Sequence, residues 1–163
     1  MDCGANDGVY ESNTLSLEMD FAWTGILIEA SPKTIERLKQ VHRKAWIVPT
    51  GLSIKNETME VEFGDWGAVG QIVDESVKNS KFYKFGKAHT IPIMCLPLYS
   101  ILQALGHPTV DFFNLDVEGY EFEILKTIPF DKVDIKVILT KYSQFFLQFP
   151  IFTFRYYQWK SKI

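Results

Sequence analysis

Four short apolar runs, residues 25–30 (GILIEA), 45–49 (AWIVP), 110–117 (VDFFNLDV) and 133–139 (VDIKVIL), constrain this chain more than any other feature. They alternate with stretches of helical period. Strands buried on both faces read as continuous Ile, Val, Leu and Phe, so the alternation predicts an α/β domain with a mostly parallel sheet covered by helices. After the first run, Ser31 can cap and Pro32 can occupy the first turn of a helix over 32–42. There Ile35, Leu38 and Val41 fall on one face, leaving Lys33, Glu36, Arg37, Lys39 and the following Lys44 to solvent.

The remaining segments fill in the same plan. Residues 59–63 alternate apolar and acidic side chains, as a strand wet on one face does, and Gly64, Gly67 and Gly70 mark a flexible connection after it. Residues 71–89 are polar and basic without a period and read as a variable surface segment, a lid or substrate loop. A strand over 91–96, a short amphipathic helix over 98–105 stopped by Gly106, and a helix over 119–128 stopped near Pro129 complete the pattern. With 163 residues and 47% hydrophobic content, the chain supports one full core. A doubly wound domain opens on a buried strand, yet Asp2, Gly4 and Gly8 arrive at once, so the first strand is expected to be largely missing.

Charge and cysteine usage exclude several classes. Lys and Arg number 17 against 20 Asp and Glu, a formal charge of −3 with no basic run, so no nucleic-acid surface is signalled and no nucleic-acid partner is expected. Cys3 and Cys95 form neither a disulfide framework nor a zinc quartet, and His42, His89 and His107 lack ligand spacing. The polar N-terminus lacks a leader pattern and no apolar run reaches spanning length, so the chain reads as soluble and cytoplasmic. Residues 142–159 (YSQFFLQFPIFTFRYYQW) are dense in aromatics, with Pro150 interrupting any period. They read either as an edge strand with a packing tail or as a foreign C-terminus, which sets the domain at 1–142 and a divergent tail at 143–163.

The chemistry concentrates in two places. Asp2-Cys3-Gly4-Ala5-Asn6-Asp7-Gly8 carries residue types that tolerate the left-handed backbone of a tight strand-to-helix turn, and such a turn brings amides close to a ligand. Glu29 ends the next apolar strand, where an acid can hold ribose hydroxyls, although it can also serve the dipole of the following helix. Asp116 and Glu118 end the third apolar run. In extended backbone they share a face at the sheet edge where ligands bind, while Glu118 can instead cap the helix, and Glu121 falls in its first turn. No G-x-S-x-G elbow or G-x-G-x-x-G fingerprint competes with this set.

DCGANDG, GILIEASP and VDFFNLDVEGYEFEILKTIP together resemble the FkbM family of S-adenosylmethionine-dependent methyltransferases, and SNTLSLE and FDKVDIKVI resemble its animal Star-like branch. The resemblance implies a Rossmann-like methyltransferase fold, with Asp2, Gly4, Asn6 and Gly8 cradling the methionine part of S-adenosylmethionine and Glu29 holding its ribose. It places Asp116 and Glu118, in the D-x-E-G signature, beside the acceptor, a hydroxylated small molecule or glycan. A carboxylate there can act as general base, and Asp116 is the candidate. Three departures stand out: the missing first strand, Lys141 where an acid is expected, and Tyr120 where Ala is usual. They bring in a second reading, a non-catalytic Star-like interaction or trafficking protein of the secretory pathway, cut from a membrane-anchored parent.

Overall fold

The computed structural model describes residues 1–79, 83, 89–106 and 109–140. Among the described residues, nine strands form two sheets. The first holds β1 (Asp2–Cys3), β2 (Ile26–Glu29), β3 (Trp46–Pro49), β8 (Val110–Leu115) and β9 (Ile135–Thr140), all parallel, in the order β3-β2-β1-β8-β9. The second, inserted between β3 and β8, holds β4 (Gly51–Leu52), β5 (Met59–Gly64), β6 (Gln71–Ile72) and β7 (Thr90–Leu96) in the order β4-β7-β5-β6. Only β4 and β7 run parallel there. The architecture is α/β and Rossmann-like.

Parallel pairing needs a crossover, and the helices supply the cover: α1 (Leu15–Phe21), α2 (Pro32–Gln40), α3 (Glu75–Asn79), α4 (Leu98–Ala104) and α5 (Glu121–Thr127). Side chains of β2 alternate between two cores. Ile26 and Ile28 join Phe113, Leu115 and residues of α4 and α5, while Leu27 turns to Leu38 of α2. Both faces are therefore buried, which is why β2 reads as an unbroken apolar run. Phe113, Leu115 and Leu38 are inaccessible to solvent, and burying each contributes about 1.5 to 3 kcal/mol.

Several sequence expectations shift at their edges. As expected, Ser31 caps α2, its hydroxyl accepting from the Thr34 amide at 3.3 Å, and Gly106 takes a left-handed φ of 65° after α4. However, α2 stops at Gln40, so Val41 is 37% exposed rather than core. β1 has two residues, yet it lies at the centre of the sheet between β2 and β8. Met1 extends its ladder, the amino group donating to the Phe112 carbonyl and the Asn114 amide donating to the Met1 carbonyl. The aperiodic stretch 71–89 contains β6 and α3, which are too short to show a period. Lys141 and the aromatic segment 142–159 lie outside the described residues.

Candidate functional site

The strand order reverses at β1: the chain proceeds through β2 and β3 on one side and returns through β8 and β9 on the other. In open parallel sheets a crevice forms beyond the strand ends at such a switch point. Here it is a cleft of about 1060 Å³, counting its open mouth. Its walls are the segments that follow β1, β2 and β8, together with residues of the second sheet that include Phe63, Ile72, Ile93 and Cys95.

The turn after β1 is built around three left-handed residues, Gly4 (φ 77°), Asn6 (φ 49°) and Gly8 (φ 77°). Gly4 is required twice over, because a Cβ there would lie 1.8 Å from the Asp116 carbonyl oxygen. This near contact joins the turn to the end of β8, where the Asp116 amide donates to the Cys3 carbonyl at 3.0 Å. Gly4, Asn6 and Asp2 line the cleft. Gly8 does not: it is buried against α2, where a Cβ would meet Leu38 Cδ1 at 2.5 Å.

Asp2 is 2% exposed, and its carboxylate is engaged inside the protein. Oδ2 accepts from Thr14 Oγ1 at 2.7 Å and from Ser12 Oγ at 3.3 Å, while Oδ1 accepts from Asn114 Nδ2 at 2.7 Å. Glu29, 8% exposed, closes the turn from the side of β2. Its Oε2 accepts from the Asn6 amide at 2.9 Å, and its Oε1 accepts from the Ala30 and Ser31 amides at 2.9 and 2.8 Å. A carboxylate offers about four acceptor positions, so one remains for a ligand hydroxyl. Burial raises the Glu29 pKa against the opposing pull of these three amides.

Asp116 and Glu118 both line the cleft, but not as a pair on one extended strand. β8 ends at Leu115, Glu118 is left-handed (φ 56°) and Gly119 follows at φ 113°. Glu121 holds this turn, its carboxylate accepting from the Val117 amide at 3.0 Å and from the Gly119 amide at 3.1 Å. Tyr120 also lines the cleft, and its bulk is accommodated toward the insert that carries Asp74. Burial, then Asp74, raises the phenol pKa well above its usual range. The Ser76 hydroxyl outweighs desolvation at Asp74 and, with Tyr120 and the Val77 amide, lowers that carboxyl to about 2.

Two further observations bear on chemistry. Cys3 and Cys95 both line the cleft, but burial raises both thiols, Cys95 to about 11, so neither presents a thiolate at neutral pH. The lining includes the acidic residues Asp2, Glu11, Glu29, Asp116 and Glu118 and, among the described residues, no Lys, Arg or His. Sequence reasoning missed the buried partners Glu18 and Arg43, since nothing local distinguishes them from solvated charges. Among the described residues, no group of three His, Cys, Asp or Glu is placed to hold a metal ion, and no helix is long and apolar enough to cross a membrane.

A parallel sheet with a glycine-bearing turn after its central strand and a cleft at the switch point defines a Rossmann-like architecture. The chain matches the methyltransferase FkbM domain over residues 2–156 and belongs to that family. No curated protein and no solved structure matches it.

Proposed function

We propose that the chain is an S-adenosylmethionine-dependent methyltransferase acting on a hydroxyl group of a small molecule or glycan. The observation that carries this reading is the convergence on one cleft of the turn at Gly4, the acid ending β2, and the Asp116 and Glu118 segment. The residues fit the cofactor on two counts. Without a side chain, Gly4 lets the turn close against the Asp116 carbonyl beside the cleft, and a lining with five acidic residues and no cation among the described residues suits a positively charged ligand.

Asp2, Gly4 and Asn6 would hold the methionine part, with Gly8 setting the shape of the turn from behind, and Glu29 would hold the ribose through its remaining acceptor position. When bound, the cofactor supplies an electrophilic methyl group on a positively charged sulfur. The protein's own share is alignment and proton transfer. Asp116 accepts the proton of the acceptor hydroxyl, and Glu118 orients the acceptor. The segments SNTLSLE and FDKVDIKVI support placement in the Star-like branch. An enzyme fits better than a non-catalytic interaction module, because a binding module of this fold has no need for carboxylates in the cleft.

The test is a calorimetric titration with S-adenosylhomocysteine, followed by an assay of its release from S-adenosylmethionine with hydroxylated acceptors. Wild type should bind, and Glu29→Gln should bind about tenfold to hundredfold more weakly. Asp116→Asn should keep cofactor affinity while turnover falls about 10²- to 10⁴-fold. A folded wild type that gives no heat at millimolar ligand would overturn the assignment.

A further inference from the structure

The turn that shapes the cofactor cleft is held from two sides. Glu29 closes it from the cleft. From the opposite side it is closed by Arg43, which is not among the cleft-lining residues. Arg43 lies between α2 and β3 with its side chain 4% exposed, beside Glu18 of α1 at 6%. Its Nε donates to Glu18 Oε2 at 3.0 Å, Nη1 donates to the Gly8 carbonyl and to Ser12 Oγ at 3.4 Å, and Nη2 donates to Thr14 Oγ1 at 3.3 Å.

The Thr14 hydroxyl donates in turn to Asp2 Oδ2 at 2.7 Å, so an unbroken chain of hydrogen bonds runs from Glu18 through Arg43 and Thr14 to the first residue of the cleft. Glu18 is fixed in turn, its carboxylate accepting from the Lys44 amide at 2.7 Å and the Ala45 amide at 3.3 Å. The guanidinium thus reaches both ends of the turn: Gly8 directly, and Asp2 through Thr14. A lysine has one donor centre and cannot span these partners. Asn tolerates the left-handed backbone at position 6 better than other side chains do, but at a greater cost than glycine, so the contacts around the turn help to hold it.

We propose that Arg43 is a positioning residue, which holds the turn of residues 4–8 in its ligand-accepting shape without touching the ligand. The proposal rests on the cofactor reading above. Its distinguishing consequence is that the loss of Arg43 affects binding separately from stability. Removing Arg43 alone leaves the Glu18 charge buried, whereas removing both charges is often neutral for folding.

The experiment compares Arg43→Met, Arg43→Lys and the double variant Glu18→Gln with Arg43→Met, all on the full chain. The readouts are Tm, affinity for S-adenosylhomocysteine, and hydrogen exchange of the Asn6, Gly8 and Val9 amides without ligand. Arg43→Met should lower Tm and affinity together. The double variant should recover most of the Tm while its affinity stays about tenfold or more below wild type. Its turn amides should exchange about tenfold faster, with Arg43→Lys in between. A double variant that regains wild-type affinity and protection along with its Tm would overturn the proposal, because Arg43 would then serve stability alone. Should wild type bind nothing, the cofactor reading fails by itself, and unchanged turn exchange in the folded double variant would still overturn the role of Arg43.

Discussion

Two turns lie side by side at the cleft, after the neighbouring strands β1 and β8, and they are held by partners at different range. The turn after β1 takes its left-handed backbone at Gly4, Asn6 and Gly8, and the turn after β8 takes it at Glu118 and Gly119. The second is fixed from within, because Glu121 lies two and four residues from the amides it accepts. The first has local bonds as well, the Gly8 amide to the Ala5 carbonyl and the Val9 and Tyr10 amides to Asp7, but it adds remote ones: Glu29 reaches Asn6 across 23 positions, Arg43 reaches Gly8 across 35, and the Asp116 carbonyl seals Gly4. A locally held turn can keep its shape while its surroundings loosen. A remotely held one keeps its shape only while the sheet and both flanking helices are packed, so the shape of the first turn is tied to the fold of the whole domain.

The glycines give the strongest way to break that comparison. In Gly4→Ala the new Cβ meets the Asp116 carbonyl, and the backbone is left-handed as well, so strain and overpacking add to about 2 to 5 kcal/mol. For a chain of this size that is a fall in Tm of about 4 to 20 °C. In Gly119→Ala the backbone is equally unsuited, but nothing lies within 4 Å of the new Cβ. The cost there should be the backbone strain alone, about 1 to 3 kcal/mol. Thermal unfolding of the two variants decides the point. Equal losses would mean that the contact with Asp116 does not seal the first turn.

The same division between local and remote explains what the sequence disclosed. The parallel sheet was legible because burial on both faces writes itself as continuous apolar residues, as in Ile26, Leu27 and Ile28. The cap at Ser31 and the helix-start role of Glu121 were legible because their partners lie within four positions. The pairing of Glu18 with Arg43 was not, because a charge buried against a distant charge has the same local signature as one in water. Of the second sheet, the long strands β5 and β7 were legible over 59–63 and 91–96, but β4 and β6 were not: they have two residues each, and their place is set by pairing with β7 and β5 rather than by any pattern of their own. The structure also shows Asp116 and Glu118 meeting at the cleft through a turn and not through an extended strand, since the Glu121 carboxylate draws the backbone around after Leu115.

A smaller effect is expected from Glu121→Ala, which removes the acceptor of the Val117 and Gly119 amides. The Gly119 amide is open to water and can be satisfied there, so the loss should resemble that of an exposed helix cap, about 0.5 to 2 kcal/mol. Because the turn after β1 shares none of these bonds, affinity for S-adenosylhomocysteine should stay near wild type, while Glu118 loses its fixed position. Denaturant unfolding and calorimetry on one preparation test both halves. A drop in cofactor affinity as large as that of Glu29→Gln would show that the two turns are coupled and that the local clamp is not local in effect.

The smallest effect sharpens the contrast between the two carboxylates that fix the first turn, because their ionisations act on stability with opposite signs. At Glu18, burial is outweighed by the Lys44 amide and by Arg43, so its pKa lies below the ordinary 4.5. It favours folding fully above pH 4.5, and the contribution is lost as pH falls through the folded-state value. At Glu29, burial wins and the pKa lies above 4.5, so its contribution is present below pH 4.5 and is lost as pH rises through the folded-state value. Acid unfolding followed from pH 7 to pH 3 should therefore be shallower in Glu18→Gln and steeper in Glu29→Gln than in wild type. Each difference is bounded by one proton, at most about 1.4 kcal/mol per pH unit. Parallel acid limbs in the two variants would mean that neither carboxylate is held as the hydrogen bonds indicate. A limb that becomes shallower in Glu29→Gln would mean instead that its three amide donors outweigh its burial, making it the same kind of clamp as Glu18.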